Sequence, residues 1–166
     1  MADKYNRADR LRDHASGVGP IRLLVVDRQP AIRRGLKMRL GLEEDLEVVG
    51  EAGDADGAFP LARALRPDVI LLDIEMPGGI ALTEALRAAA PHSAVVVLTL
   101  RDDAATREQA RAAGAMAFVA KHRTEGILLA SIRGVALANA KRRRHGRAPV
   151  SREEEHTDAM RDRRGA

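Results

Sequence analysis

Residues 68–73 read "DVILLD", four apolar side chains held between two acids. A run this continuously apolar suits a strand covered on both faces, because neither side of its pleat then meets water. Four further runs of the same kind flank it: "IRLLVVD" (21–27), "LEVVGEA" (46–52), "AVVVLTL" (94–100) and "AMAFVAK" (115–121). Between them apolar residues recur at helical spacing. Pro30 stands in a first helical turn ahead of Ile32, Leu36 and Leu40, with Gly41 near the end. Asp102 or Asp103 caps a helix through "AATREQARAA" that stops at Gly114. Thr124 caps a last helix with Ile127, Leu128, Ile132, Val135 and Ala138 on one stripe, closing on the cations of "AKRRRHGR", which suit a helix C-terminus. Pro60, inside "DADGAFPLARALR", is expected to leave the second helix short or kinked.

Strand and helix thus alternate along the chain, and parallel neighbours need crossovers. The expected fold class is α/β, a doubly wound five-stranded parallel sheet with helices on both faces. Such folds place their sites at the carboxyl ends of the strands. Those ends carry Asp27, Asp73, Thr99 and Lys121. A lone strand-end aspartate is ordinarily a structural acceptor, but four convergent polar groups favour chemistry. An aspartate can accept a phosphoryl group as an acyl phosphate. Lys121 then supplies a charge and Thr99 a hydroxyl for the oxygens of that group, and Asp27 helps to hold a divalent metal.

Composition narrows the choice. The 166 residues allow one ordinary domain with flanks. The absence of cysteine removes disulfides and thiolate metal sites and points to a reducing, cytoplasmic setting. No signal-peptide-like run opens the chain, and no stretch reaches the roughly 18 apolar residues of a membrane span, so no membrane partner is expected. Residues 21–140 hold 15 basic and 16 acidic side chains, whereas 141–166 hold 9 and 5. The body is therefore no nucleic-acid surface, and the basic excess lies in the tail. Three segments are expected: a flexible extension over 1–20, a domain over 21–140, and a basic, largely disordered tail or truncated linker over 141–166.

"LLVVD", "DVILLDIEMPG", "VVVLT" and "GAMAFVAK", in this order and spacing, resemble the receiver domain of two-component response regulators over residues 21–138. "QPAIRRGL" and "VVGEAGDADGA" look most like the subfamily whose receivers precede a helix-turn-helix DNA-binding domain. The resemblance implies a flavodoxin-like (β/α)5 receiver fold, Asp73 as phospho-acceptor, Thr99 as switch hydroxyl, Lys121 as the cation, and Phe118 as the aromatic that rearranges with Thr99. It further implies a histidine kinase as donor, Mg2+ held by Asp27, Asp73 and the carbonyl of Glu75, and control of transcription through a homodimer. Contact with DNA would need an output domain that residues 141–166 are too polar to supply. Phe118 reads equally well as a core residue.

Three departures from the receiver pattern stand out. Arg28 occupies the place of a second acid that contacts the magnesium, and a guanidinium offers only donors and a fixed positive charge. "MPGGIAL" is a shorter loop than usual beside the site. Glu75 presents an acid toward the phosphoryl position, where it pairs with Arg28 or Arg101. His122, where proline is frequent, is expected to face solvent. The chain thus reads as an atypical receiver whose Arg28 reaches into the pocket, neutralises Asp27 or Asp73, leaves Mg2+ binding doubtful and holds one conformation without phosphate. The alternative has Arg28 in solvent above a conventional, weakened Mg-dependent site. A competitor of another class is an aspartyl-phosphate phosphatase of haloacid-dehalogenase type, with Glu75 as its second acid; the "MPG" that follows and the lack of a cap domain disfavour it. A metabolite sensor finds no glycine-rich phosphate loop in its support. The chain is therefore expected not to be an enzyme.

Overall fold

A computed structural model of the protein describes residues 19–123 and 126–146. Its elements are β1 (Ile21–Val26), α1 (Pro30–Leu40), β2 (Leu46–Ala52), α2 (Ala55–Leu65), β3 (Val69–Asp73), α3 (Ala81–Ala89), β4 (Ala94–Thr99), α4 (Ala104–Ala112), β5 (Ala117–Ala120), a 3-10 turn at Lys121–Arg123 and α5 (Ile127–His145). The five strands form one parallel sheet in the order β2-β1-β3-β4-β5, the doubly wound α/β architecture expected.

Strand alternation divides the core into two layers. Leu24, Val26, Ile70, Leu72, Val95 and Val97 pack against Ala58 and Ala62 of α2, Leu82 and Leu86 of α3 and Ala110 of α4. Leu23, Val25, Val69, Leu71, Val96 and Leu98 meet Leu40 of α1 and Leu128, Ile132 and Val135 of α5. Because successive side chains point to opposite faces, a run apolar at every position is what a sheet covered on both sides requires. Each buried branched side chain contributes about 1.5–3 kcal/mol.

Register positions the site. Val26 pairs with Leu72, Asp73 with Leu98, and Thr99 with Ala120. Asp27, Asp73, Thr99 and Lys121 therefore stand within one residue of the last paired rung on β1, β3, β4 and β5. Four residues far apart in sequence are brought to one edge by pairing alone.

The helices correct some expectations. Helix α2 continues across Pro60 for 11 residues, the same length as α1, and is not shortened. Asp54 caps it by accepting from the Gly57 N–H at 2.7 Å, and burial of Ala58 and Ala62 with packing of Phe59 and Leu61 outweighs the one ladder bond that proline removes. Asp103 is the cap of α4, accepting from the Thr106 N–H at 2.8 Å. On α5 the buried stripe ends on Asn139, not on Ala138, which is exposed. The Asn139 amide is satisfied there by donating to the His92 carbonyl at 2.8 Å. The Thr124 cap lies outside the described residues, as do the segments 1–18 and 147–166. Among the described residues no helix is long and apolar enough to cross a membrane.

Candidate functional site

One local device recurs at three strand ends. Asp27 Oδ1 accepts from the Gln29 N–H at 2.8 Å, Asp73 Oδ1 from the Glu75 N–H at 3.0 Å, and Thr99 Oγ1 from the Arg101 N–H at 3.0 Å. In each case the side chain satisfies a backbone donor two residues ahead, where the chain has left the sheet ladder. The device fixes the rotamers. It also turns the remaining oxygen of each acid toward a common point.

Lys121 occupies that point. Its Nζ lies 2.7 Å from Asp27 Oδ2 and 3.1 Å from Asp73 Oδ2. Asp27, Asp73 and Thr99 are 1%, 3% and 0% exposed, so two carboxylates share one cation away from bulk water. Burial pushes the ammonium's pKa down, but hydrogen bonds and charges from Asp27 and Asp73 outweigh it and hold Lys121 above the ordinary lysine value. The lysine is charged at any physiological pH.

Glu75 and Arg28 take different places from those their charges suggest. The Thr99 hydroxyl donates to Glu75 Oε1 at 3.2 Å, and Arg101 Nε stands 3.9 Å from the same oxygen. Of the two arginines available to Glu75, Arg101 is the partner. Arg28 is exposed, and its side chain has no hydrogen bond or ion pair among the described residues. The expected neutralisation of Asp27 or Asp73 by Arg28 is thus absent. Asp27 has its two oxygens engaged by Gln29 and Lys121, and nothing draws the guanidinium inward. Glu75, the second acid a haloacid-dehalogenase-type phosphatase would use, is turned to Thr99.

Arg33 is a residue that sequence reasoning passed over. From α1 its Nη1 donates to the carbonyls of Asp27 at 2.8 Å and Arg28 at 3.3 Å, and its Nε lies 3.5 Å from Glu51. It pins the loop that carries Asp27. The available signal was its position one turn after Pro30, beside an otherwise uncapped loop. Phe118 is half-buried, packs on the layer beneath α2, α3 and α4, and carries the Arg107 guanidinium 4.8 Å above its ring. Arg107 is paired with Asp102, and exposed His122 stands 4.0 Å from that same acid. The short loop after β3 closes through Gly78 and Gly79 at φ 98° and 48°, backbone that a side chain would strain.

Among the described residues no group of three or more histidine, cysteine or acidic side chains is arranged to hold a metal. The donors present are two carboxylates, Asp27 and Asp73. Magnesium commonly takes one or two carboxylates and keeps several waters, so this set meets its minimum. Lys121 already lies on the same two oxygens.

The profile of the response regulator receiver domain matches residues 23–133. The chain belongs to that family. It is 37% identical over 119 residues to the nitrate/nitrite response regulator protein NarP of Escherichia coli, an alignment covering 70% of this chain and 55% of NarP. A crystal structure of a LuxR-family two-component response regulator from an Aurantimonas species is 28% identical, with a TM-score of 0.68 over 72% of this chain and 87% of that one. A DNA-binding response regulator of the LuxR family from Staphylococcus aureus is 25% identical, with a TM-score of 0.64 over 70% and 98%. The receiver spans about half the length of the curated relatives it matches. The sequence resemblance to receivers of regulators with helix-turn-helix outputs therefore stands.

Proposed function

We propose that this receiver accepts a phosphoryl group on Asp73 and passes the change to an output that controls transcription. The observation that carries the reading is Lys121 Nζ bridging Asp27 and Asp73 at 2.7 and 3.1 Å, with the Thr99 hydroxyl at the same sheet edge. In the reaction an Asp73 carboxylate oxygen attacks the phosphorus of a phosphohistidine on a histidine kinase. A P–O bond forms, the P–N bond breaks, and its electron pair leaves with the imidazole. A small acyl phosphate serves the same chemistry through a P–O leaving group. Asp27 then remains as a counter-charge to Lys121, which shifts toward the new phosphoryl oxygens, while Thr99 supplies a hydroxyl donor.

Asp27, Asp73 and the Glu75 carbonyl are the groups that would hold Mg2+, which when bound neutralises charge on the transferring oxygens. Arg28, standing where a further acid would help, lowers the affinity for that ion, so phosphorylation here is slow but retained. A phosphate-independent switch would need Arg28 to neutralise the pocket. Lys121 does so instead, which favours the conventional phospho-accepting reading with a weakened metal site. In this reading Phe118 responds with Thr99, two copies pair through helical faces, and contact with DNA is made by a DNA-binding output domain, all in the cytoplasm with the kinase domain.

The test is incubation with a small acyl phosphate and magnesium followed by intact mass measurement. Native protein is expected to gain one phosphoryl group slowly, Arg28→Asp about tenfold faster, as for one restored charged ligand contact, and Asp73→Asn not at all. An adduct that survives Asp73→Asn overturns the proposal.

A further inference from the structure

Thr99 has one proton to give, and the structure shows where it goes. A carboxylate can only accept and a backbone N–H can only donate. The Thr99 hydroxyl therefore receives from the Arg101 N–H at 3.0 Å and gives its own proton to Glu75 Oε1 at 3.2 Å. With the hydroxyl fully buried, no water competes for either contact. A phosphoryl group on Asp73 needs that same proton.

We infer that Glu75 is an internal competitor for the phosphoryl group: its carboxylate holds the Thr99 hydroxyl in the unmodified protein and has to be displaced before Thr99 can read Asp73. This rests on Asp73 being the phospho-acceptor. Three features make the exchange a side-chain event with a defined destination. The Glu75 backbone is tied to Asp73 Oδ1 at 3.0 Å and need not move. The Glu75 side chain is 33% exposed, so its carboxylate has a route to water. Arg101, 72% exposed and 3.9 Å from the departing oxygen, offers a cation on the solvent side. Like-charge repulsion between Glu75 and an anionic phosphoryl group at one strand edge drives the exchange in the same direction.

Two arrangements of one hydroxyl then define the switch, and the added group shifts their populations only by the difference in its interaction with each. Glu75 raises the threshold. It is a positioning residue acting through Thr99, so its removal should matter only while the hydroxyl is present.

The experiment is a double-mutant cycle of Glu75→Ala and Thr99→Val, with Glu75→Gln alongside, on the full chain. Each protein is incubated with a small acyl phosphate and magnesium, and the Asp73 adduct is followed by intact mass; circular dichroism checks folding. Glu75→Ala is expected to raise the adduct level about tenfold, the scale of one charge-assisted hydrogen bond. Glu75→Gln, which keeps an acceptor oxygen but drops the charge, should fall between Glu75→Ala and native. In the Thr99→Val background the effect of Glu75→Ala should shrink to about twofold or less, leaving the charge term alone. A gain undiminished without the Thr99 hydroxyl, or no gain from either Glu75 variant, overturns the inference while an Asp73 adduct on the native chain leaves the proposed function standing. No adduct on any protein of the set, native included, sinks both. Should Glu75→Ala fail to fold, Glu75→Gln decides alone: a level equal to native counts against the competitor.

Discussion

Strand β3 is bracketed by two aspartates, Asp68 and Asp73, on either side of the same four apolar residues, and the two acids have opposite fates. Asp68, at the amino end, accepts the Arg22 N–H at 3.0 Å and a contact from Arg143 at 3.4 Å, and it is half-exposed. Its partners belong to it alone. Asp73, at the carboxyl end, is 3% exposed and shares the Lys121 cation with Asp27. A private, solvent-screened partner makes a staple. A shared, buried one makes a candidate site, because any new group on Asp73 would redistribute the lysine. The difference does not lie in residue type. It lies in the end of the sheet at which each acid is delivered, since parallel strands converge their carboxyl ends on helix N-termini and on one another.

The sharpest way to break the contrast is to remove Lys121. Lys121→Met leaves two buried carboxylates with no cation, a defect of the class that costs about 3–5 kcal/mol. Urea unfolding should show that loss. Adding Asp27→Asn should restore part of it, because one carboxylate then stands alone where two repelled each other. A loss under about 1 kcal/mol, the range of exposed pairs, would mean that water screens the pocket and that Asp73 is no different from Asp68.

The next effect depends on pH. The folded-state pKa of Lys121 lies above its unfolded value, so the stability it contributes is fully present below the ordinary lysine range, near pH 10.4, and is lost as pH rises through the higher folded value. The gap in stability between native protein and Lys121→Met should stay level from neutral pH to about pH 10 and narrow only beyond it. A gap that closes between pH 7 and 9 would contradict the bridged geometry.

How much of this was legible beforehand follows from the same physics. The covered strands wrote themselves as unbroken apolar runs, and the sites of such a fold lie at run ends, so Asp27, Asp73, Thr99 and Lys121 could be named from order alone. Arg28 could not be placed. An exposed loop side chain is directed by the few partners within reach, and the capture of Asp27 by Gln29 and Lys121 is a tertiary fact. Arg33 was passed over for the converse reason: apart from its place one turn after Pro30, a basic residue on a helix reads as a solvated face until the carbonyls of Asp27 and Arg28 are seen beside it. Pro60 shows local propensity overruled by burial of the residues around it, and Asn139 shows a polar side chain taking a core position because the His92 carbonyl was there to receive it.

Asp68→Asn removes the charge that meets Arg143 but keeps an oxygen able to accept the Arg22 N–H, so the backbone staple survives. The lost ion pair is partly exposed on both sides, and such pairs contribute about 0–1 kcal/mol. A fall in Tm of no more than about 4 °C is therefore expected for a chain of this size. Because Asp68 stands at the far edge of the sheet, phosphorylation at Asp73 should be unchanged in rate. If Asp68→Asn instead altered the adduct level, the two ends of β3 would be coupled through the strand itself, and the distinction between staple and site would have to be redrawn along its length.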